Sequence, residues 1–257
     1  MNLKSSNPFF KNKSFTKTAT APVYDTDGRP VEIIDYNDTM TVAGAVNKTF
    51  ILFALLLAGA LGTWWMAMNG NNPMGYAIAG GIAAFVVVLI AGFKPYYSTY
   101  LAPAYAVLEG LFIGGISAIF EVQYPGIVIQ AVGATFVTFG VCLALYRFRI
   151  IKVTEQFRSV VIAATLAILT YYILSWVLSL FINFQPVDHG NSLMSIGISV
   201  FVIIIAALNL FLDFDLLEKG AERRLPKYME WFGGMALMIT LVWLYVEFLR
   251  LLSKLRD

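Results

Sequence analysis

The sequence predicts an all-α integral membrane protein with seven transmembrane helices, and three observations carry that prediction. First, 59% of the 257 residues are hydrophobic, only 13% are charged, and mean hydropathy is +0.73. A soluble domain of this size could not give so much apolar surface a polar coat. Second, the apolar residues gather into seven blocks, each long enough to cross about 30 Å of hydrocarbon at about 1.5 Å per residue. Third, the linkers between blocks are short and carry turn signals: "NGNNP", "KPYY", "YPG", "NFQPVDHGN" and "RRLPK". Lipid cannot satisfy open backbone groups, and a strand barrel would need alternating segments of about ten residues, so the spans are helices.

Residues 1–47 are rich in Lys, Ser, Thr, Asp and Pro and read as a flexible tail, with some order around "VEIIDY". The opening "MNLKSSNPFFKNKSFTKTATAPVYDTDGRP" lacks an apolar core, so no secretory signal is expected. Residues 48–257 form the transmembrane domain, with spans expected over 49–68, 75–93, 98–120, 125–146, 158–183, 193–217 and 228–252. In the third span Ala106, Gly110, Gly114 and Ala118 recur every four residues, a ridge of small side chains onto which another helix backbone can close. The last span follows Pro226, which suits a first-turn position, and Glu230 complements the positive end of that helix. Its run "WFGGMALMITLVWLYVEFLRLL" is ample for a full crossing, with a re-entrant segment as the alternative.

Fifteen Lys and Arg residues fall on one side of these spans: the tail, Lys94, the 147–158 loop and the 219–227 loop. The opposite side holds only Arg250, Lys254 and Arg256. The asymmetry puts the N-terminus in the cytoplasm, and an odd number of spans then puts the C-terminus outside. A net charge of +2 is too small to point to nucleic acid. The lone Cys142 excludes an intramolecular disulfide, and His189, beside Asp188 with no second His or Cys near it, makes no zinc set. No nucleophile elbow, H-E-x-x-H or phosphate-cradling glycine loop is present, so neither an enzyme nor a bound cofactor is expected.

Four acids fall inside the spans: Glu109, Asp213, Asp215 and Glu247. Each costs at least about 2.5–3.5 kcal/mol near mid-membrane unless it finds a partner, water or a proton. Glu109 sits beside the small-residue ridge and faces the bundle interior, lining a pathway or bonding across helices. Asp213 shares a face with Asn209 and, if its helix ends near Lys219, lies about 9 Å inside that end, the depth of an inner pore mouth. Asp215 points about 200° away and is expected to be a solvated acid near Lys219. Glu247 has a simple structural reading as an i,i+3 partner of Arg250.

The stretches "MTVAGAVNKTFILFALLLAGALGTW", "YAVLEGLFIGGIS", "LNLFLDFDLLEKG" and "PKYMEWFGGMALMITLVWLYVEFLRLLSKL" together resemble the bacterial branch of the Bax inhibitor family, from about Met40 onward. The resemblance implies a seven-helix fold whose last helix is central and wrapped by the other six. It also implies a pH-sensitive leak of calcium across the membrane. In that family two carboxylates on the sixth and seventh helices share a proton as the pH sensor. Asp213 matches the first and Glu247 the second, where better-studied members carry aspartate; both would then be calcium contacts. The segment between them is longer than in the simplest bacterial members, which makes Glu230 an alternative partner. Lys94 stands where a basic residue latches the pore in some members, as a compact ammonium in place of a guanidinium fork.

The expected function is therefore a passive, pH-sensitive cation (calcium) leak channel in a bacterial plasma membrane, with calcium as permeating ion. Asp213, Glu247 and Lys94 form its sensor and gate, and Glu109, Asp215 and Glu230 are candidate pathway acids. The alternative is a non-transporting regulator that binds another membrane protein, such as a quality-control protease, through its tail and small-residue ridges. A secondary transporter is a weaker third reading, since no inverted repeat or pair of broken helices is visible.

Overall fold

A computed structural model describes residues 23–24, 30–31, 39–181, 190 and 192–256. The chain divides into two units, Met1–Asp38 and Thr39–Asp257. In the first, β1 (Val23–Tyr24) pairs antiparallel with β2 (Pro30–Val31), Val23 opposite Val31. Among the described residues the second has seven α-helices: α1 (Val42–Met68), α2 (Met74–Phe93), α3 (Ser98–Gln123), α4 (Ile127–Arg147), α5 (Glu155–Phe181), α6 (Leu193–Glu222) and α7 (Met229–Arg256). All seven are long and apolar enough to cross a membrane. The expected external loop with Asp188 and His189 lies outside the described residues.

Two boundaries differ most from expectation, both because polar residues continue a helix. The helical unit begins at Thr39 rather than 48, and α1 at Val42. Thr41 is extended (φ −126°, ψ 150°) and its hydroxyl accepts from the Gly44 N–H, an N-cap that draws Asn47 and Lys48 into the first turns. At the other extreme, α6 runs past the expected end at 217 to Glu222, with Lys219 in the last turn, where a cation suits the helix C-terminus.

The last helix is the most buried of the seven, but it is wrapped by four of the others and not by all six. α1, α3, α4 and α6 pack directly on α7, whereas α2 packs chiefly on α3 and α5 chiefly on α6. The core accordingly has two main bodies. Leu52 and Leu56 of α1 meet Tyr105 and Ala106 of α3 and Met235 and Met238 of α7. Leu210, Phe211 and Phe214 of α6 meet Leu237, Leu241 and Leu244 of α7. The small-residue ridge of α3 is filled by α1. A Cβ at Gly110 would fall 2.2 Å from the Leu56 carbonyl oxygen, and one at Gly114 2.2 Å from that of Ala60. Only glycine permits backbones to approach so closely.

Candidate functional site

The intramembrane acids fall into two groups: those fully bonded to neighbours and those that are not. Asp215 belongs to the first and corrects the expectation of a solvated acid, being only 6% exposed. Its Oδ2 accepts from Arg158 of α5 at 2.7 Å and from Lys219, one turn on, at 2.9 Å. The Lys219 partner was legible from i,i+4 spacing; the Arg158 guanidinium, crossing from another helix, completes the shield. Nearby, the Tyr146 hydroxyl of α4 donates to Glu218. This end of α6 is thus tied to α4 and α5 by charge.

Glu230, in the first turn of α7, is 1% exposed. Its Oε1 accepts from the Thr41 backbone N–H and from the Thr41 hydroxyl, both at 3.0 Å. The acid expected to complement its own helix therefore also anchors the start of α1. The approach requires glycine at position 44, where a Cβ would lie 2.0 Å from the same carboxylate oxygen.

Glu247 is likewise 1% exposed, and its Oε1 accepts from Arg250 at 3.3 Å and from the Tyr172 hydroxyl at 3.1 Å. Arg250 in turn donates to Tyr172 at 2.9 Å and lies over its ring. The i,i+3 pair is present, joined by a tyrosine that sequence spacing could not supply. Through Tyr172, α5 reaches the central helix.

Asp213 contrasts with all of these. Leu210 and Leu217, one turn to either side, are buried, and a Cβ at Gly233 of α7 would meet Leu217. Asp213 thus faces the α6–α7 seam beside Thr240, whose hydroxyl donates to the Ala236 carbonyl. The residue is half-buried, but its Oδ2 is shielded from solvent and has no hydrogen-bond partner among the described residues. With α6 ending at Glu222, Asp213 is about 13 Å inside that end, deeper than expected.

The expected Asp213–Glu247 pair is not formed. Asp213 meets α7 at Thr240, and Glu247 lies seven residues, about 10 Å, further along the same unbroken helix. Glu230 does not substitute, being about 15 Å the other way from Thr240 and committed to Thr41. Lys94 caps α2 as an exposed residue and makes no ion pair with Asp213. No group of three His, Cys, Asp or Glu that could hold a metal ion occurs among the described residues.

Glu109 resembles Asp213. It is half-buried and has no hydrogen-bond partner among the described residues. Tyr105, one turn before it, packs in a cluster with Met235 and Met238, and Ile113, one turn after, in one with Tyr245 and Leu249. Glu109 therefore turns toward α7 at about the depth where Asp213 meets it from α6.

Fold and site together define a multi-pass helical membrane protein whose central helix is flanked by two incompletely bonded acids. The sequence profile of the Bax inhibitor 1 like family matches residues 7–257, and the chain belongs to that family. No curated protein and no solved structure matches the chain.

Proposed function

We propose that the protein is a pH-sensitive passive cation leak, with calcium as the permeating ion and Asp213 as the titrating group. The supporting observation is the shielded, unbonded Oδ2 of Asp213 at the seam of the central helix. An ionised carboxylate cannot stay uncompensated in a low-dielectric seam; it must take up either a proton or a cation. The same oxygen thus links protonation to cation occupancy. Calcium suits it as a hard ion that prefers oxygen ligands, with the rest of its shell from water. Glu109, at similar depth on α3, is the second pathway acid. Asp215, Glu230 and Glu247 are assigned to structure, since each is bonded to cationic or hydroxyl partners.

The regulator reading loses one of its two supports, because the ridge of α3 is occupied by α1. The basic asymmetry supports a cytoplasmic N-terminus. Purified protein in calcium-free liposomes loaded with a calcium dye tests the proposal. Dye response without a counter-ion gradient is the expected result. Flux that requires a counter-ion gradient would make the protein a transporter, and no flux at any pH would refute transport.

A further inference from the structure

We propose that the turn joining α4 to α5 binds the phosphate of an anionic membrane lipid headgroup. The turn and the facing end of α6 enclose a cavity of about 280 Å³. Three basic residues of the turn line it: Arg147, Arg149 and Lys152. All three are exposed and form no hydrogen bond or ion pair through their side chains among the described residues.

The acids on the opposite wall do not balance them. Asp215 is held by Arg158 and Lys219, and Glu218 accepts from Tyr146. Glu222 is the one lining acid without a bond among the described residues. Three unpaired cations therefore share the cavity with two carboxylates that no cation pairs among the described residues, Glu218 and Glu222, an excess of positive charge that leaves room for an anion.

The backbone shows that one of these cations is placed there against conformational preference. α4 ends in a Schellman motif: the Ile150 N–H donates to the Leu145 carbonyl and the Arg149 N–H to that of Tyr146. Arg149 occupies the left-handed position of the motif with φ 55°. The same motif ends α1, where the left-handed residue is Gly70 at φ 77°, and α6, where Leu225 and Arg224 donate to Gly220 and Ala221 and the left-handed residue is Arg224 at φ 53°. Arginine at such a position carries a strain that glycine avoids.

The flanking side chains distinguish a lipid from a free anion. Phe148 and Ile150 alternate with the arginines and are 75% and 67% exposed. At the end of a membrane-spanning helix, such side chains enter the acyl boundary while the arginines reach to phosphate level. Basic pockets at this position select anionic headgroups, and each basic residue near the surface is worth a factor of about five in binding.

Full-length protein in neutral detergent, titrated with phosphatidylglycerol or phosphatidylcholine and read by native mass spectrometry, tests the assignment. Phosphatidylglycerol should bind at least about tenfold better, and Arg149→Gly should cut that preference about fivefold. The lipid-free melting temperature of Arg149→Gly should be unchanged or higher, because glycine relieves the backbone. Arg147→Lys with Arg149→Lys should keep most of the preference, while Arg147→Gln, Arg149→Gln and Lys152→Gln together should abolish it. Equal binding of the two lipids, or a preference surviving the triple change, would overturn the site. Inorganic phosphate displacing the lipid at equal concentration would overturn the lipid as its occupant. A lower lipid-free melting temperature for Arg149→Gly would assign Arg149 to holding the helix end instead.

Discussion

Asp213 and Asp215 stand two residues apart on one helix, on faces about 200° apart, and their surroundings differ in kind. The outer face of α6 gives Asp215 a guanidinium and an ammonium within 2.9 Å. The inner face leaves Asp213 Oδ2 unbonded. Burial alone therefore does not identify a working acid; Asp215, Glu230 and Glu247 are the more deeply buried residues, and all three are bonded. A bonded acid holds helices together, whereas an unbonded one is free to exchange a proton for a cation. On this contrast, stability should depend most on the bonded acids and transport most on the unbonded ones.

Substitutions can break that ordering. Glu230→Ala should be the most damaging to stability, by about 2–4 kcal/mol, since it empties a buried site and strands both Thr41 donors. Thermal melting in detergent measures it, and Glu230→Gln should recover most of the loss. Asp215→Ala comes next at about 1.5–3 kcal/mol, because Arg158 and Lys219 lose their shared acceptor. Tyr172→Phe should cost about 1 kcal/mol, removing the hydroxyl between Glu247 and Arg250 while keeping the ring. At the bottom of the stability scale, Glu109→Gln should stay within about 0.5 kcal/mol of the parent yet lower calcium flux in liposomes. If Glu109→Gln leaves flux untouched and Glu109→Leu abolishes folding, Glu109 is a structural acid.

The sequence revealed what depends on local pattern and hid what depends on how helices face each other. Seven spans were legible because length and apolar content are properties of each block alone. The Glu247–Arg250 and Asp215–Lys219 pairs were legible because both partners sit on one helix turn. The Arg158 partner of Asp215 is separated from it by 57 positions, and the Tyr172 partner of Glu247 by 75. Such contacts follow from the rotation and depth of one helix against another, which no spacing within one chain encodes. The Asp213–Glu247 pair failed for the same reason: α7 stands about two turns further along at Glu247 than where Asp213 meets it. The start of α1 was missed because Asn47 and Lys48 look like tail until Thr41 is recognised as a cap.

The contrast rests most heavily on Asp213, and the pH profile of calcium flux tests it directly. The protonated acid offers a cation no charge and the carboxylate does, so wild-type flux should rise with pH. Asp213→Asn should flatten that rise while melting within about 0.5 kcal/mol of the parent, since an amide keeps the size and the Thr240 contact. His189→Ala and Asp215→Asn, measured alongside, should retain the pH dependence. A flat wild-type profile, or an Asp213→Asn protein whose profile matches the wild type, would contradict the account and leave Asp213 as a buried acid without a role in transport.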